Sequence, residues 1–264
     1  MSFFSANNLT AGYGKQHVID GISFELKNGC LMGILGANGS GKTTLLKAIC
    51  GILPHEGCCI LDGVPLEQMT PRQIAKVCSY IPQRSGIGID ISVLDVVLMG
   101  FNPRLGILEH PNSAMRSAAL RAIDRVGLSG KENTNYLHLS EGQKQLCILA
   151  RTLVSESRLL LLDEPESALD FRYRYRMLED LRKWISSAQG SAIVTLHDPA
   201  LALNYCDKLL LLSEGRVLGE IAPRSDSLPH MEQLLSRIYG AISLQQCKMR
   251  SGKPQLVMLK EEDV

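Results

Sequence analysis

Residues 36–43 have the residue types and the spacing of a phosphate-binding loop. They read G-A-N-G-S-G-K-T and fit the pattern G-x-x-x-x-G-K-[ST], placed after an apolar stretch and before a helical one. Glycines let backbone N–H groups turn toward a phosphate, and the lysine and the hydroxyl can reach phosphate oxygens and Mg²⁺. The segment therefore predicts a nucleotide site, with an unliganded glycine-rich turn as the alternative. The candidate residues are Gly36, Asn38, Gly39, Ser40, Gly41, Lys42, Thr43 and Thr44.

Two carboxylates, Asp163 and Glu164, follow a run of four leucines at residues 159–162. Such a run predicts a buried strand, and ligands of open α/β sheets bind beyond the carboxyl ends of the strands. Asp163 is the candidate Mg²⁺ ligand, and Glu164 is the candidate general base that polarises a water for attack on a γ-phosphate. Two solvated carboxylates at a strand end are the alternative, which the phosphate loop upstream makes weaker.

Buried strands alternating with helices would position these groups. Short apolar runs predict strands at residues 31–35, 158–163 and 192–196, residues 22–26 alternate as a strand does, and residues 42–49 have a helical pattern. Together they indicate a parallel sheet covered by helices. Residues 82–157 are largely helical in pattern, above all residues 113–126, and we predict an inserted helical unit there. After residue 223 the sequence predicts only a helix at residues 231–238 and a small appendage.

Composition excludes several classes of protein. The 264 residues include 28 Lys and Arg against 27 Asp and Glu, so the net charge of +1 gives no reason to expect a nucleic-acid partner. The longest apolar runs are far shorter than the roughly 20 residues of a membrane helix, and the N-terminus has no signal-peptide pattern. We therefore expect a chain that does not span a bilayer and stays in the cytosol.

The eight cysteines include no C-x-x-C pair, and most lie among apolar neighbours. They are best interpreted as buried small hydrophobic residues in a reducing compartment. A zinc site built from cysteines and the six histidines is the alternative, which the lack of paired spacing makes weaker.

Residues 139–143, Leu-Ser-Glu-Gly-Gln, resemble the signature sequence of the ATP-binding cassette (ABC) ATPases and lie between the phosphate loop and the Asp-Glu strand, as in that family. Four further family motifs are present in order: an aromatic residue, a Q-loop, a D-loop at residues 167–170 and a switch histidine. Singly, the aromatic could be a turn residue, the glutamine a solvated loop residue and the histidine a capping or packing residue. The ordered set favours the family reading. The residues are Tyr13, Gln83, Ser167, Ala168, Leu169, Asp170 and His197.

The resemblance implies an α/β fold: a P-loop NTPase (RecA-like) core with an antiparallel β-subdomain and an inserted helical subdomain. The ATPase domain would span residues 1–222, with the core at about 1–83 and 158–222, the helical subdomain at about 84–157, and an appendage at 223–264. ATP and Mg²⁺ are the implied cofactors. The implied catalytic residues are Glu164, His197 and Gln83. Tyr13, Ser140, Gly142 and Gln143 join the phosphate loop in binding ATP, and Thr43, Gln83 and Asp163 are the implied metal ligands.

The family mechanism needs two cassettes facing head to tail, because the signature of one chain serves the nucleotide of the other. The resemblance therefore implies a second copy, integral-membrane permease subunits bound near Gln83 and the helical subdomain, and indirectly a substrate-binding protein. The chain would lie at the cytoplasmic face of the inner membrane. Residues 93–106 and 238–240 resemble ATPases that serve iron-siderophore, haem and cobalamin uptake. A soluble ABC ATPase without a membrane partner, and the motor of an exporter, are the alternatives.

Two residues depart from the family pattern. Glu141 stands at the signature position that usually holds glycine, and its carboxylate is expected to oppose closure around a triphosphate. Glu166 stands where threonine or serine is common after Asp-Glu-Pro, and the sequence offers no mechanistic reason for it.

Overall fold

The computed structural model describes residues 2–83, 86–106, 108–188 and 190–262. Within them the strands are β1 (Phe4–Tyr13), β2 (Gln16–Leu26), β3 (Leu31–Gly36), β4 (His55–Leu61), β5 (Val64–Pro65), β6 (Cys78–Ile81), β7 (Leu159–Asp163), β8 (Ser191–Thr195), β9 (Lys208–Ser213), β10 (Arg216–Ile221), β11 (Ile242–Lys248) and β12 (Pro254–Lys260). The helices are α1 (Lys42–Ile49), α2 (Pro71–Val77), α3 (Val93–Leu98), α4 (Ser113–Arg125), α5 (Glu141–Leu153), α6 (Phe171–Ala188), α7 (Pro199–Tyr205) and α8 (Leu228–Tyr239).

The central sheet has the strand order β10-β9-β3-β8-β7-β6, with all pairs parallel except β10 with β9. Strands β7 and β8 are buried at every position because helices cover both faces of a parallel sheet, which is why their sequences are almost uninterrupted apolar runs. The predicted strands at 31–35, 158–163 and 192–196 match within one residue at each end, and the predicted helix matches α1. The predicted fold class is confirmed.

A second, antiparallel sheet has the order β2-β1-β4-β5 and packs over α1 around its own apolar cluster. Strand β1 carries a bulge in which Asn8 and Leu9 together lie opposite Gly57 of β4. Gly57 has φ of +91°, and a Cβ there would lie 2.5 Å or less from the carbonyl oxygens of Asn7 and Asn8. Only glycine fits opposite this bulge, and the extra residue resets which side chains of β1 face the core. This sheet is the β-subdomain that the family resemblance implied.

Helices α3, α4 and α5 lie between β6 and β7, which are neighbours in the central sheet, so the helical unit is an insertion between two paired strands. Each helix begins at a side chain that accepts a backbone N–H of its first turn, as Ser92, Asn112 and Ser140 do. Their apolar faces meet in the main core through residues such as Val97 and Ile123. The predicted helix at 113–126 corresponds to α4.

The C-terminal region holds more structure than the sequence predicted. Helix α8 was expected, but the hairpin of β11 and β12 was not. Met231 and Leu235 of α8 and Leu244 of β11 are buried in the main core. Asn204 of α7 fixes the hairpin: its side-chain amide donates to and accepts from the backbone of Leu256, both at 2.8 Å.

Cysteine burial follows the prediction in part. Cys59, Cys78, Cys147 and Cys206 are buried, three others are partly buried, and Cys247 is exposed. Across the residues that the structure describes, no helix has the length and apolar character needed to cross a membrane.

Candidate functional site

The phosphate loop is the turn between β3 and α1, and its glycines are required by geometry. Gly39 and Gly41 have φ of +81° and +98°, in the left-handed region that favours glycine. A Cβ on Gly36 would lie 2.4 Å from the carbonyl oxygen of Leu212, and one on Gly41 would lie 2.6 Å from Ile19. Any larger residue at these two positions would distort the loop.

Lys42 begins α1 and is 5% exposed. Its ammonium group donates to the carbonyl oxygens of Gly36 at 2.9 Å and Ala37 at 3.0 Å, which holds it over the loop. Burial lowers the pKa of Lys42, and the nearby carboxylates, Glu164 first, oppose that shift. The charge therefore lies in partly desolvated surroundings, where its attraction to a phosphate exceeds that in water.

Asp163 ends β7 and is 1% exposed, yet its carboxylate has three hydrogen bonds. Oδ1 accepts from the hydroxyls of Thr43 at 3.1 Å and Thr195 at 3.0 Å, and Oδ2 accepts from the Tyr80 hydroxyl at 3.2 Å. Burial, followed by the Asp163 charge, raises the pKa of Tyr80 well above its usual range and keeps this phenol a donor. The network fixes the carboxylate beside the Thr43 hydroxyl, as the prediction of a shared metal site requires.

Glu164 meets both of the other predicted catalytic side chains. Its Oε2 accepts a hydrogen bond from Gln83 Nε2 and lies 2.6 Å from His197 Nε2. The backbone at Glu164 has φ of +48°, a strained value for this residue type, and its N–H donates to Thr195 Oγ1 at 2.8 Å. Gln145 of α5 donates to the carbonyl oxygen of Gln83 at 2.6 Å. The turn after β7 thus aims Glu164 at Gln83 and His197 together.

The structure shows the contacts of Glu166, whose presence after Asp-Glu-Pro the sequence did not explain. It is 2% exposed, and its Oε1 accepts the backbone N–H of His197 at 2.9 Å. Its Oε2 is buried and has no hydrogen-bond partner among the residues described. Burial raises the pKa of Glu166, although hydrogen bonds and His197 oppose the shift. The carboxyl group therefore ties the loop after β7 to the backbone of the switch histidine.

ATP and Mg²⁺ fit the residues present. A cavity of about 360 Å³ opens over the phosphate loop, and the buried hydroxyl of Ser40 has no hydrogen-bond partner in the described chain. The hydroxyl of Thr43 and the carboxylate of Asp163 are hard oxygen donors of the kind that Mg²⁺ takes. The cavity lining is Val18, Asn38, Gly39, Gly41, Lys42, Thr43, Thr44, Gln83, Glu164 and His197.

Tyr13 lies beside this cavity, not in its lining. It ends β1, is 52% exposed and lines a neighbouring cavity of about 460 Å³ together with His17. The next residue along β2, Val18, already lines the phosphate cavity. The two cavities therefore adjoin, and an adenine stacked on Tyr13 would extend from the phosphate site.

The signature residues form a separate cavity of about 430 Å³ that shares no lining residue with the phosphate cavity. Ser140 begins α5: its hydroxyl accepts the N–H of Gln143 at 3.3 Å, and Gln143 Oε1 accepts the N–H of Ser140 at 3.2 Å. A Cβ on Gly142 would lie 3.0 Å from the carbonyl oxygen of Ala168 in the D-loop. Within one chain, then, Ser140, Gly142 and Gln143 are not brought to the phosphate loop.

Glu141 projects from the start of α5, with its side chain 76% exposed. Its Oε1 lies 2.8 Å from Lys144 Nζ, one turn along the helix. A partner three residues away offsets part of the carboxylate charge. The basic neighbour reduces the repulsion expected from the sequence alone.

The sequence patterns did not reveal Tyr80, Thr195 and Gln145, which hold Asp163, Glu164 and Gln83 in place. Each is a polar residue next to buried apolar residues: Tyr80 before Ile81 in β6, Thr195 after Val194 in β8 and Gln145 before Leu146 in α5. A polar residue in a buried run is the signal that could have marked them.

Three features define the class of protein: a phosphate loop that bears a lysine, a buried aspartate beside the threonine of that loop, and a glutamate that faces a histidine. They are the features of P-loop enzymes that hydrolyse nucleoside triphosphates. Similarity to known proteins identifies the family within this class. The family model described as ABC transporter matches residues 19–167, so the chain belongs to the ABC transporter family and is an ATPase subunit of that family.

Two relatives show how far the similarity extends. A hemin import ATP-binding protein, HmuV, of Pseudomonas fluorescens is 36% identical over 259 residues, covering 96% of this chain and 98% of that protein. A Helicobacter pylori protein named as an iron chelatin transport ATP-binding protein is 34% identical and covers 80% of this chain and 83% of its own.

Solved structures agree on the architecture. An inward-facing structure named as a metal-chelate type ABC transporter has a TM-score of 0.81 and 27% identity, and it covers 99% of both chains. The dimeric structure of the bacterial ABC transporter cassette MJ0796 has a TM-score of 0.76 and 23% identity, covering 84% of this chain and all of that one. At that identity the second likeness is one of fold.

Proposed function

We propose that this chain powers a bacterial importer of a metal chelate, of the haem or iron-siderophore type. The position of Glu164 beside the phosphate loop, facing Gln83 and His197, is the observation that carries the ATPase part. The import part is supported by end-to-end similarity to a hemin import ATP-binding protein and by the metal-chelate type structure.

In the proposed reaction the loop N–H groups and Lys42 bind the β- and γ-phosphates and orient the γ-phosphate toward Glu164. The Glu164 carboxylate accepts a proton from the attacking water, and His197 orients that water against the phosphate. Thr43, Gln83 and Asp163 would hold Mg²⁺, which when bound neutralises charge on the phosphate oxygens. Asp163 is oriented by the three hydroxyl groups that donate to it.

The proposed assembly is a head-to-tail dimer of this chain. Its support is the separation of the two cavities: Ser140 and Gly142 line one and Lys42 lines the other. Two copies facing each other would bring the signature of each to the phosphates of the other. Tyr13 would stack on the base, and Ser140, Gly142 and Gln143 would complete the site from the partner.

Permease subunits would bind at the Q-loop and the helical insertion, on the cytoplasmic face of the inner membrane, and a substrate-binding protein would act through them. The proposed division of the chain is an ATPase domain at 1–222 and a C-terminal appendage at 223–264. We assign ATP and Mg²⁺ as cofactors and no nucleic-acid partner.

The function is tested by deleting this gene in its host and measuring growth on haem, on ferric siderophores and on inorganic iron. The deletion should stop growth on one chelate and leave growth on inorganic iron unchanged. The wild-type gene and Glu25→Gln, which makes the same chemical change at an exposed strand position, should restore growth, and Glu164→Gln should not. Normal growth of the deletion strain on every chelate would refute the import assignment without affecting the ATPase.

A further inference from the structure

The β-subdomain contains a cluster of metal-binding side chains that the ATPase reaction does not use. His55 begins β4, Cys59 lies four residues along the same strand, and Glu67 lies in the short 3₁₀ helix Leu66–Gln68 that follows β5. One ligand atom from each of the three lies within 4.8 Å of the others. Three donor groups at this separation can surround a single ion.

Glu67 is held in this arrangement by several contacts. Its Oε1 accepts the backbone N–H of Cys59 at 2.6 Å and lies 3.1 Å from His55 Nε2, and its Oε2 accepts from Cys58 Sγ at 3.4 Å. Partial burial works to raise the pKa of Glu67, but these hydrogen bonds outweigh it and the net pKa is lowered. These contacts fix the carboxylate where the histidine and the cysteine converge.

The ring of His55 is placed so that its Nε2 can bind a cation beside that carboxylate. Its Nδ1 faces the carbonyl oxygen of Leu53 at 3.4 Å, and its side chain is only 10% exposed. In the free protein the Nε2–H of a neutral ring can donate to Glu67 Oε1 at 3.1 Å. In the other tautomer the proton is on Nδ1, which faces the carbonyl oxygen of Leu53, and the Nε2 lone pair is available to a cation placed between the ring and the carboxylate. A metal-ligating histidine held through its other nitrogen by a carbonyl is a common arrangement in proteins.

We propose that His55, Cys59 and Glu67 form a binding site for one divalent cation of the zinc type, with water in the fourth position. One nitrogen, one sulfur and one carboxylate oxygen are the ligand types that zinc takes, and the thiolate and carboxylate together balance a charge of +2. The thiolate disfavours Mg²⁺ and Ca²⁺, which prefer oxygen ligands. This proposal is independent of the ATPase and import assignments.

Binding has a defined proton balance. Burial first, and the Glu67 charge second, raise the pKa of the Cys59 thiol well above its usual range, so the free protein holds it as a thiol. The cation displaces that proton: Cys59 S–H and M²⁺ become a Cys59 S–M bond, and one H⁺ passes to solvent. The electron pair of the former S–H bond stays on sulfur, and nothing is oxidised or reduced.

A bound cation would also connect two parts of the β-subdomain, β4 and the segment after β5, close to the predicted nucleotide site. His55 lines the same cavity as Tyr13, and its backbone pairs with Ala11 of β1, two residues before Tyr13. A bound ion would fix β4 to the segment after β5, beneath the strand that ends at the aromatic residue. None of the three ligands lines the phosphate cavity.

Sequence patterns gave little reason to expect this site, because they contain no paired C-x-x-C spacing. His55 and Cys59 are four residues apart on β4 and so share one face of the strand, and Glu67 reaches them through the β4–β5 turn. A metal site of the zinc type is therefore possible at one location, because folding brings the three side chains together.

The experiment is a titration of the full-length, metal-free chain with Co²⁺ under reducing, anaerobic conditions, followed by the absorption of the thiolate-to-cobalt transition. The wild-type chain should bind one equivalent with that band. His55→Ala and Cys59→Ser should lose it, and Glu67→Gln should weaken binding by at least about 10-fold. Matched controls are His110→Ala and Cys247→Ser, which remove exposed residues of the same types and should bind as wild type does.

Thermal unfolding with Zn²⁺ gives a second readout. Zn²⁺ should raise the Tm of wild type and of both controls, because it binds the folded state, and should leave the Tm of His55→Ala unchanged. If Cys59→Ser does not fold, His55→Ala and Glu67→Gln decide the question. Absence of a thiolate-to-cobalt band in wild type, or its persistence in His55→Ala, would overturn the proposal.

Discussion

Glu164 Oε2 lies 2.6 Å from His197 Nε2, although the two residues follow different strands of the central sheet, β7 and β8. The contact exists because β7 and β8 are parallel neighbours, paired from Leu159 with Ser191 to Asp163 with Thr195. Glu166 accepts the backbone N–H of His197 from the other side. The proposed general base, Glu164, and the proposed switch histidine, His197, are therefore positioned by one pair of adjacent strand ends.

Substitutions of Lys42 and Glu164 should separate nucleotide binding from hydrolysis. Lys42→Ala removes the ammonium group over the phosphate loop and should weaken ATP binding. Glu164→Gln keeps the size and the contact with Gln83 but cannot accept the proton, so turnover should fall by about 10²–10⁴ with ATP binding retained. Fluorescent-nucleotide binding and phosphate release measure the two steps, with Glu25→Gln as the matched control. Near-normal turnover in Glu164→Gln would remove the general-base role.

Substitutions of Glu166 should change how stability depends on pH. Because burial raises its pKa in the folded state, the stability that comes from its protonated form is fully present below its unfolded-state value of 4.5 and is lost as pH rises through the folded-state pKa. The loss is about 1.4 kcal/mol for each unit by which the pKa is raised. Glu166→Gln does not titrate at this position. The difference in Tm, variant minus wild type, should therefore increase between pH 5 and pH 8.

A second variant separates titration from hydrogen bonding at this position. Glu166→Ala also loses the titration, but it leaves the N–H of His197 without its acceptor, so turnover should fall while that of Glu166→Gln stays closer to wild type. Parallel pH profiles of Tm for wild type and Glu166→Gln would show that Glu166 does not titrate as described.

Local patterns predicted the phosphate loop and the Asp-Glu strand because their residues are contiguous and their function depends on backbone shape. Tyr80 and Thr195 could not be found in this way. They reach Asp163 only because β6 and β8 flank β7, and strand order is a long-range property that apolar runs do not encode. The β11–β12 hairpin was missed for a related reason: only Leu244 is buried in β11, so alternation in that strand is weak.

Two copies of the chain should close around two ATP molecules when hydrolysis is slow. Glu164→Gln with ATP should give a dimer by size-exclusion chromatography with light scattering. Adding Ser140→Arg should abolish the dimer while each phosphate loop still binds nucleotide, because a bulky cation fills the space for the facing γ-phosphate.

Ser140→Arg also removes the side chain that caps α5, which should lower the free energy of unfolding by about 1 kcal/mol. A control that removes a different helix cap is therefore needed. Asn112→Ala removes the cap of α4, where Asn112 Oδ1 accepts the N–H of Met115 at 2.9 Å, and should leave the dimer intact. A chain that stays monomeric with ATP in the Glu164→Gln background, even with the permease, would contradict the head-to-tail assembly.

Glu141 and Lys144 should have opposite effects on closure of that dimer. A carboxylate near a triphosphate is repelled by about 1 kcal/mol at 4 Å in water, and Lys144, 2.8 Å from Glu141, offsets part of this. Glu141→Gln, which keeps a helix-compatible side chain, and Glu141→Gly should both lower the apparent KM for ATP without changing the affinity of the isolated monomer. Lys144→Ala should raise the apparent KM for ATP, and the double variant Glu141→Gln with Lys144→Ala should resemble Glu141→Gln alone.

Because Glu141 is exposed, these differences in KM should shrink at high salt, where charges are screened over about 8 Å or less. ATPase titrations at low and high salt measure this; a raised KM in Glu141→Gly and Glu141→Gln would mean that the carboxylate bonds favourably to the partner.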